Sequence, residues 1–127
     1  MSIIVKETEM EKEQLVKEIV RLLQEHHCKN VVSIDVTGRT DVADVFVVCS
    51  ARNPNAARAA YDEMTGKLEE QGVYADRADG LKDGRWIVID YNSVIVHIFH
   101  THMRDFYQFE ALWTTEDGSN VTTYSEE

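Results

Sequence analysis

The stretch WIVIDYNSVIVHIF, Trp86 to Phe99, holds two apolar, β-branched runs on either side of Asn92-Ser93. Asn tolerates the positive φ that a two-residue hairpin turn demands. The pattern predicts two antiparallel strands with Asp90 opposite Ile95, Ile89 opposite Val96, Val88 opposite His97, Ile87 opposite Ile98 and Trp86 opposite Phe99. Side chains alternate between the two faces of a sheet. One face then carries Ile87, Ile89, Tyr91, Val94, Val96 and Ile98, which is almost wholly apolar and must pack on helices. The other carries Trp86, Val88, Asp90, Ile95, His97 and Phe99, a mixture of aromatics, a carboxylate and an imidazole.

That second face admits two readings. Aromatics among a few polar groups have the make-up of a protein interface, so the face is left open for a partner. Otherwise a helix of the same chain covers it, with Asp90 and His97 paired as diagonal neighbours beneath. The expectation taken forward is the open face, with Trp86 and Asp90 accessible.

Outward from the hairpin, helices alternate with strands. Thr8 to Glu11 reads as a capping box, with Thr8 as N-cap and Glu11 at the third helical position. Leu15, Ile19, Leu22, Leu23 and His26, widened by Val16 and Val20, line one face of a helix ending near His27. NVVSIDV (Asn30 to Val36) and the run from Ala43 to Cys49 read as paired strands around a turn at Gly38. Asn53-Pro54 opens a second helix, with Asn as N-cap and Pro in the first turn, and Gly72 closes it. VYADRAD (Val73 to Asp79) reads as an edge strand. Met103, Phe106, Tyr107, Phe109, Leu112 and Trp113 recur at helical spacing and predict one last helix. The polar, acidic residues 114–127 predict a mobile tail behind a single domain of residues 1–113. The fold class is α/β, a mixed sheet of about five strands flanked by helices.

Composition narrows function. The net charge of −10 disfavours extensive nucleic-acid binding, which needs a basic surface; it suits a basic protein partner, but on charge alone the stronger reading is that it keeps the protein in solution. No apolar run approaches the length that crosses a bilayer, and the first residues lack a signal-peptide pattern, so the expected location is cytoplasmic. Cys28 and Cys49 read as small half-buried hydrophobes and make no disulfide framework. His97, His100 and His102 do not form a metal set, because along a strand His97 points away from the other two, and the spacing is not the helical pair of a zinc site. Asp35, Asp41 and Asp44 flank the Gly38 turn. They could hold Mg²⁺ in a nucleotidyltransferase-like enzyme relying on Asp41 and Asp44, but D-x-x-D is not the D-x-D of such sites, and turn formation explains them.

Three segments together carry a resemblance: DVTGRTDVADVFVV (Asp35 to Val48), DGLKDGRWIVIDYNSVIVHIF (Asp79 to Phe99) and RDFYQFEALW (Arg104 to Trp113). They resemble the Iojap-related ribosomal silencing factor family, RsfS. The family pattern differs at Val45, Asp79, Asn92 and Phe109 and in the loop SARNPN. The resemblance implies a non-enzymatic protein without cofactor or metal, on a nucleotidyltransferase-like core that lacks the catalytic carboxylates. It implies binding to the large ribosomal subunit through a basic ribosomal protein, the one numbered fourteen, and a steric block to subunit joining that represses translation. Direct contact with nucleic acid would be small, and homodimers occur in the family. Carried onto this chain, Trp86 and Phe99 would be aromatic anchors, Asp79 and Asp90 would meet Lys or Arg of the partner, and His97 would orient Asp90 or donate to the partner. Arg104, Tyr107, Glu110 and Trp113 would brace the last helix, with Tyr107 or Glu110 reaching the partner.

Overall fold

A computed structural model describes residues 10–126, except the side chain of Phe106. The elements are α1 (Lys12–Glu25), β1 (Lys29–Asp35), β2 (Val45–Ala51), α2 (Pro54–Glu70), β3 (Arg77–Asp79), β4 (Trp86–Asp90), β5 (Val94–His100), α3 (Thr101–Tyr107), α4 (Phe109–Trp113) and β6 (Val121–Thr123). The strands form one six-stranded mixed sheet in the order β3-β4-β5-β2-β1-β6. The sheet has one strand more than expected. β2 and β5 run parallel at its centre, and the other pairs are antiparallel.

The hairpin register is the predicted one at all five positions from Trp86↔Phe99 to Asp90↔Ile95. Asn92 takes φ 73°, and its N–H donates to Asp90 Oδ1 at 2.8 Å. The apolar face packs as foreseen. Ile87, Ile89, Val94, Val96 and Ile98 share a core with Ile19, Leu22 and Leu23 of α1 and Ala60, Met64 and Leu68 of α2. Of the expected strand VYADRAD only Arg77–Asp79 forms β3, at the sheet edge.

Local chemistry sets the ends of α2. Asn53 Oδ1 accepts from Ala56 N–H at 2.7 Å, the N-cap bond that satisfies an orphan donor of the first turn. At the other end Gly72, φ 82°, donates to the Glu69 carbonyl, and Val73 donates to the Leu68 carbonyl. That paired arrangement is a Schellman closure, which favours glycine because its first bend is left-handed. For α1 the capping box does not hold. Thr8 lies outside the described residues, and Glu11 is itself the N-cap, with no side-chain capping bond.

Two further expectations are corrected. The last helix is two short ones, because Gln108 takes a left-handed φ of 50° between them. The acidic tail is not free: Val121–Thr123 pairs antiparallel with β1. Asn120 ties this return down, its amide donating to the Trp113 carbonyl at 2.8 Å and the Asp35 carbonyl at 3.0 Å. Tyr124 Oη lies 3.0 Å from Ser33 Oγ.

Candidate functional site: a half-covered sheet face

The register carries the mixed face of the hairpin across the whole sheet. Arg77 and Asp79 of β3 stand beside Asp90 and Val88, and Phe46, Val48 and Ser50 of β2 stand beside Ile95, His97 and Phe99. Among the described residues the chain covers only part of this face. After β5 it turns back as α3 and α4 and lays Phe109, with Met103 and Trp113, over Ile34, Phe46, Val48, Ile95 and Phe99 in a second core. The β3–β4 strip lies at the margin of this cover: Val88 is half-buried against the second core, Asp90 is half-buried, and Arg77 and Asp79 are exposed. The expected open face is therefore half closed.

Trp86 marks the boundary. Its ring stacks on Phe99 at 4.8 Å and lies 5.0 Å from Tyr107 and 5.7 Å from Phe109. It is half-buried, and its indole N–H donates to His97 Nδ1 at 3.1 Å. With Nδ1 accepting, the neutral His97 ring carries its proton on Nε2. That Nε2 is buried and has no hydrogen-bond partner among the described residues. Phe109 and Phe46 crowd the ring at centroid distances of 4.4 and 5.0 Å. Burial pushes the His97 pKa down to about 3, since a charged imidazolium would be desolvated without a counter-ion.

Two proposed contact residues are thereby corrected. Phe99 is 0% exposed and His97 5%, so neither can reach a partner; they support Trp86 from below. His97 is not paired with Asp90 either, because Trp86 takes its acceptor nitrogen. Asp90 has other partners, the Asn92 N–H and the Arg77 guanidinium 3.7 Å away. The 3.7 Å contact with an exposed side chain is loose and contributes little.

Arg104 is buried among acceptors. Its Nη1 donates to Ser50 Oγ at 2.9 Å, while Nε and Nη2 fork onto Glu110 at 3.1 and 2.6 Å. The bidentate geometry is the stronger form of such a pair. It joins α3 to α4 across the Gln108 bend. Tyr107 is left 45% exposed beside Trp86, and Leu112 is 71% exposed on α4. Sequence reading missed Arg77 as the partner of Asp90 and Phe109 as the cover of His97. No signal in the sequence marked the bend that brings Arg104 to Glu110.

The acids around Gly38 do not converge. Asp35 accepts from Thr37 N–H, which holds its carboxyl below the usual range, and Asp44 lies 3.6 Å from Lys12 Nζ. Among the described residues no group of three or more His, Cys, Asp or Glu side chains is arranged to hold a metal ion. Cys28 and Cys49 are fully buried rather than half-buried, and both thiols are free. Among the described residues no helix is long and apolar enough to cross a membrane.

Comparison with known proteins agrees with this architecture. The sequence model of a family described as "Ribosomal silencing factor during starvation" (RsfS) matches residues 9–127. The ribosomal silencing factor RsfS of Halalkalibacterium halodurans is 30% identical over 104 residues, spanning 82% of this chain and 89% of that protein. A protein named Iojap-related, mitochondrial, from Arabidopsis thaliana is 26% identical over 111 residues, spanning 84% of this chain and 60% of that one. A crystal structure of a Chromobacterium violaceum protein superimposes with a TM-score of 0.79 at 27% identity, covering 82% of this chain and 87% of that one.

Proposed function

The chain belongs to the RsfS family of ribosomal silencing factors, and from that premise we propose that it regulates translation by binding the large ribosomal subunit. The landing site would be a basic ribosomal protein, the one numbered fourteen, and the bound domain would block subunit joining by its bulk. The work is regulatory rather than enzymatic: a steric obstacle needs no turnover and no cofactor.

The observation that supports this reading is the partly uncovered β3–β4 strip with Trp86 at its margin. A large aromatic that is stacked, hydrogen-bonded and still partly exposed has the character of an interface hot spot, because little side-chain entropy remains to be lost on docking. Asp79 and Asp90 flank it with carboxylates that a cationic partner would meet, and Tyr107 extends the aromatic surface. Phe99, His97, Arg104 and Glu110 act from behind, fixing the indole and the α3–α4 cover. The overall acidity would steer the chain toward a basic protein and away from bare rRNA.

Pelleting purified large subunits with this protein tests the reading. Wild type is expected to co-sediment and to slow light-scattering-detected association with small subunits. Trp86→Ala is expected to weaken binding by about 30-fold or more, a hot-spot loss of about 2 kcal/mol or more. Asp90→Ala is expected to weaken it less. Wild type left in the supernatant, or subunits joining at an unchanged rate with it bound, would overturn the proposal.

A further inference from the structure

The cations of this acidic chain are unevenly placed. At the end of the sheet where β2 and β5 finish and β4 begins, the segments that carry Arg52, Arg58, Lys82 and Arg85 meet. Arg58 Nη1 donates to the Leu81 and Lys82 carbonyls, both at 3.2 Å. Gly84 is wedged against it: a Cβ there would lie 2.6 Å from Arg58 Nη1 and 2.7 Å from Pro54 Cβ, so the loop packs this close only with glycine. Arg85 continues into β4, its carbonyl accepting from His100 N–H at 2.9 Å. Thr101 Oγ1 donates to the Ala51 carbonyl, which brings the segment carrying Arg52 to the same end. Arg52, Lys82 and Arg85 are exposed. Among the described residues the one acid paired with a cation of this cluster is Asp83, 2.7 Å from Arg85; Asp79 and Asp105 stand a few positions away in sequence.

On a chain of net charge −10, four cations against one acid make a local reversal of sign. It adjoins the proposed landing site, since Arg85 precedes Trp86 and Tyr107 lies against that indole. A site meant only for a basic protein gains nothing from cations at its border; like charges there would cost binding. A border against nucleic acid would gain from them. We infer that the Arg52–Lys82–Arg85 patch contacts the phosphate backbone of ribosomal RNA beside the protein landing site. The inference rests on the proposed ribosome binding. It refines the expectation of little nucleic-acid contact: the contact would be local and add register to a protein-mediated dock. Phosphate contacts position a protein without reading sequence, and two surfaces of opposite sign would fix its orientation on a mixed RNA and protein landscape.

The test uses the double variant Arg52→Glu/Lys82→Glu, which leaves Arg58 and its loop contacts intact, and a charge-matched control, Lys17→Glu/Lys67→Glu, on the helical face. Each is titrated against purified large subunits over a series of KCl concentrations, and against the isolated basic ribosomal protein. The patch variant should bind subunits about tenfold or more weakly, and its log K against log salt should be shallower by about one to two. It should bind the isolated ribosomal protein like wild type, and the control should bind both like wild type. Unchanged subunit binding by the patch variant would overturn the inference, as would an equal loss with the control. An equal loss on the isolated protein would overturn it too, by assigning the patch to the protein interface. Failure of wild type to bind subunits would instead remove the ribosome reading, and this inference with it.

Discussion

His97 is where packing most changes a side chain's chemistry. Its folded pKa is about 3, against about 6.5 in an unfolded chain. Between those values the unfolded chain binds a proton that the folded chain does not, so stability is complete above about pH 6.5 and declines as pH falls. At roughly 1.36 kcal/mol per unit, about 2 kcal/mol should be gone by pH 5. Urea unfolding at pH 7.5 and 5.0 measures this, and ring NMR should keep the neutral Nε2–H form throughout. A His97 ring titrating near 6.5 would contradict the burial. Asp35, whose carboxyl is held low, acts in the same direction, but its stabilisation is lost only as pH falls below about 4, outside this window. Arg104 makes the second argument of this kind. Glu110→Ala would leave a guanidinium that is 9% exposed with Ser50 as its remaining side-chain acceptor. The expected loss is about 1.5–3 kcal/mol, the range for hydrogen bonds to charged groups. Arg104→Lys should recover little, since an ammonium cannot form the fork; thermal denaturation of both variants checks this. None of this could be read from sequence. The Trp86–Phe99 register puts Trp86 and His97 on one face, but not which neighbour His97 would choose.

The hairpin was legible because its two signals are short-range. Asn at a two-residue turn and a period of two in the flanking residues fix both register and faces. The break after Tyr107 was not legible, because Gln is no conventional left-handed residue and the apolar spacing runs straight through it. Its cause is tertiary. Only a bend lets Phe109 drop onto His97 while Arg104 reaches back to Glu110. A left-handed non-glycine residue costs roughly 1–2 kcal/mol. Gln108→Gly should therefore leave stability unchanged or slightly raised, relief of strain offsetting the added chain entropy. Gln108→Val, β-branched at φ 50°, should lower it by about 1–2 kcal/mol. Equal melting temperatures for the two variants would mean that α3 and α4 tolerate a straight connection, and that the half-closed face is not fixed by this bend.

The sheet as a whole has one face closed by α1 and α2 and the other closed only from β5 to β1. That asymmetry leaves the proposed docking strip at one edge, while the opposite edge is finished by the returning strand β6. The return escaped sequence reading because it offers little apolar pattern: in Val121–Thr123 only the first residue is half-buried. It is held instead by polar groups whose partners lie far back in the chain. Asp35 N–H donates to the Asn120 carbonyl at 2.8 Å, Tyr124 N–H to the Val31 carbonyl at 3.1 Å, and the Asn120 amide bridges α4 to β1. Each such bond contributes about 0.5–1.5 kcal/mol, so a chain ending at Ser119 should lose about 2–4 kcal/mol. It should also expose the unpaired edge of β1 from Val32 to Ile34, a template for pairing with another copy. The truncated chain is then expected to melt several degrees lower and, in light scattering, to self-associate with rising concentration. The docking strip lies at the far edge, so the fraction that stays monomeric should still pellet with large subunits. Wild-type melting together with a monodisperse truncated chain would mean that β6 closes nothing, and that β1 is protected at that edge by its own side chains.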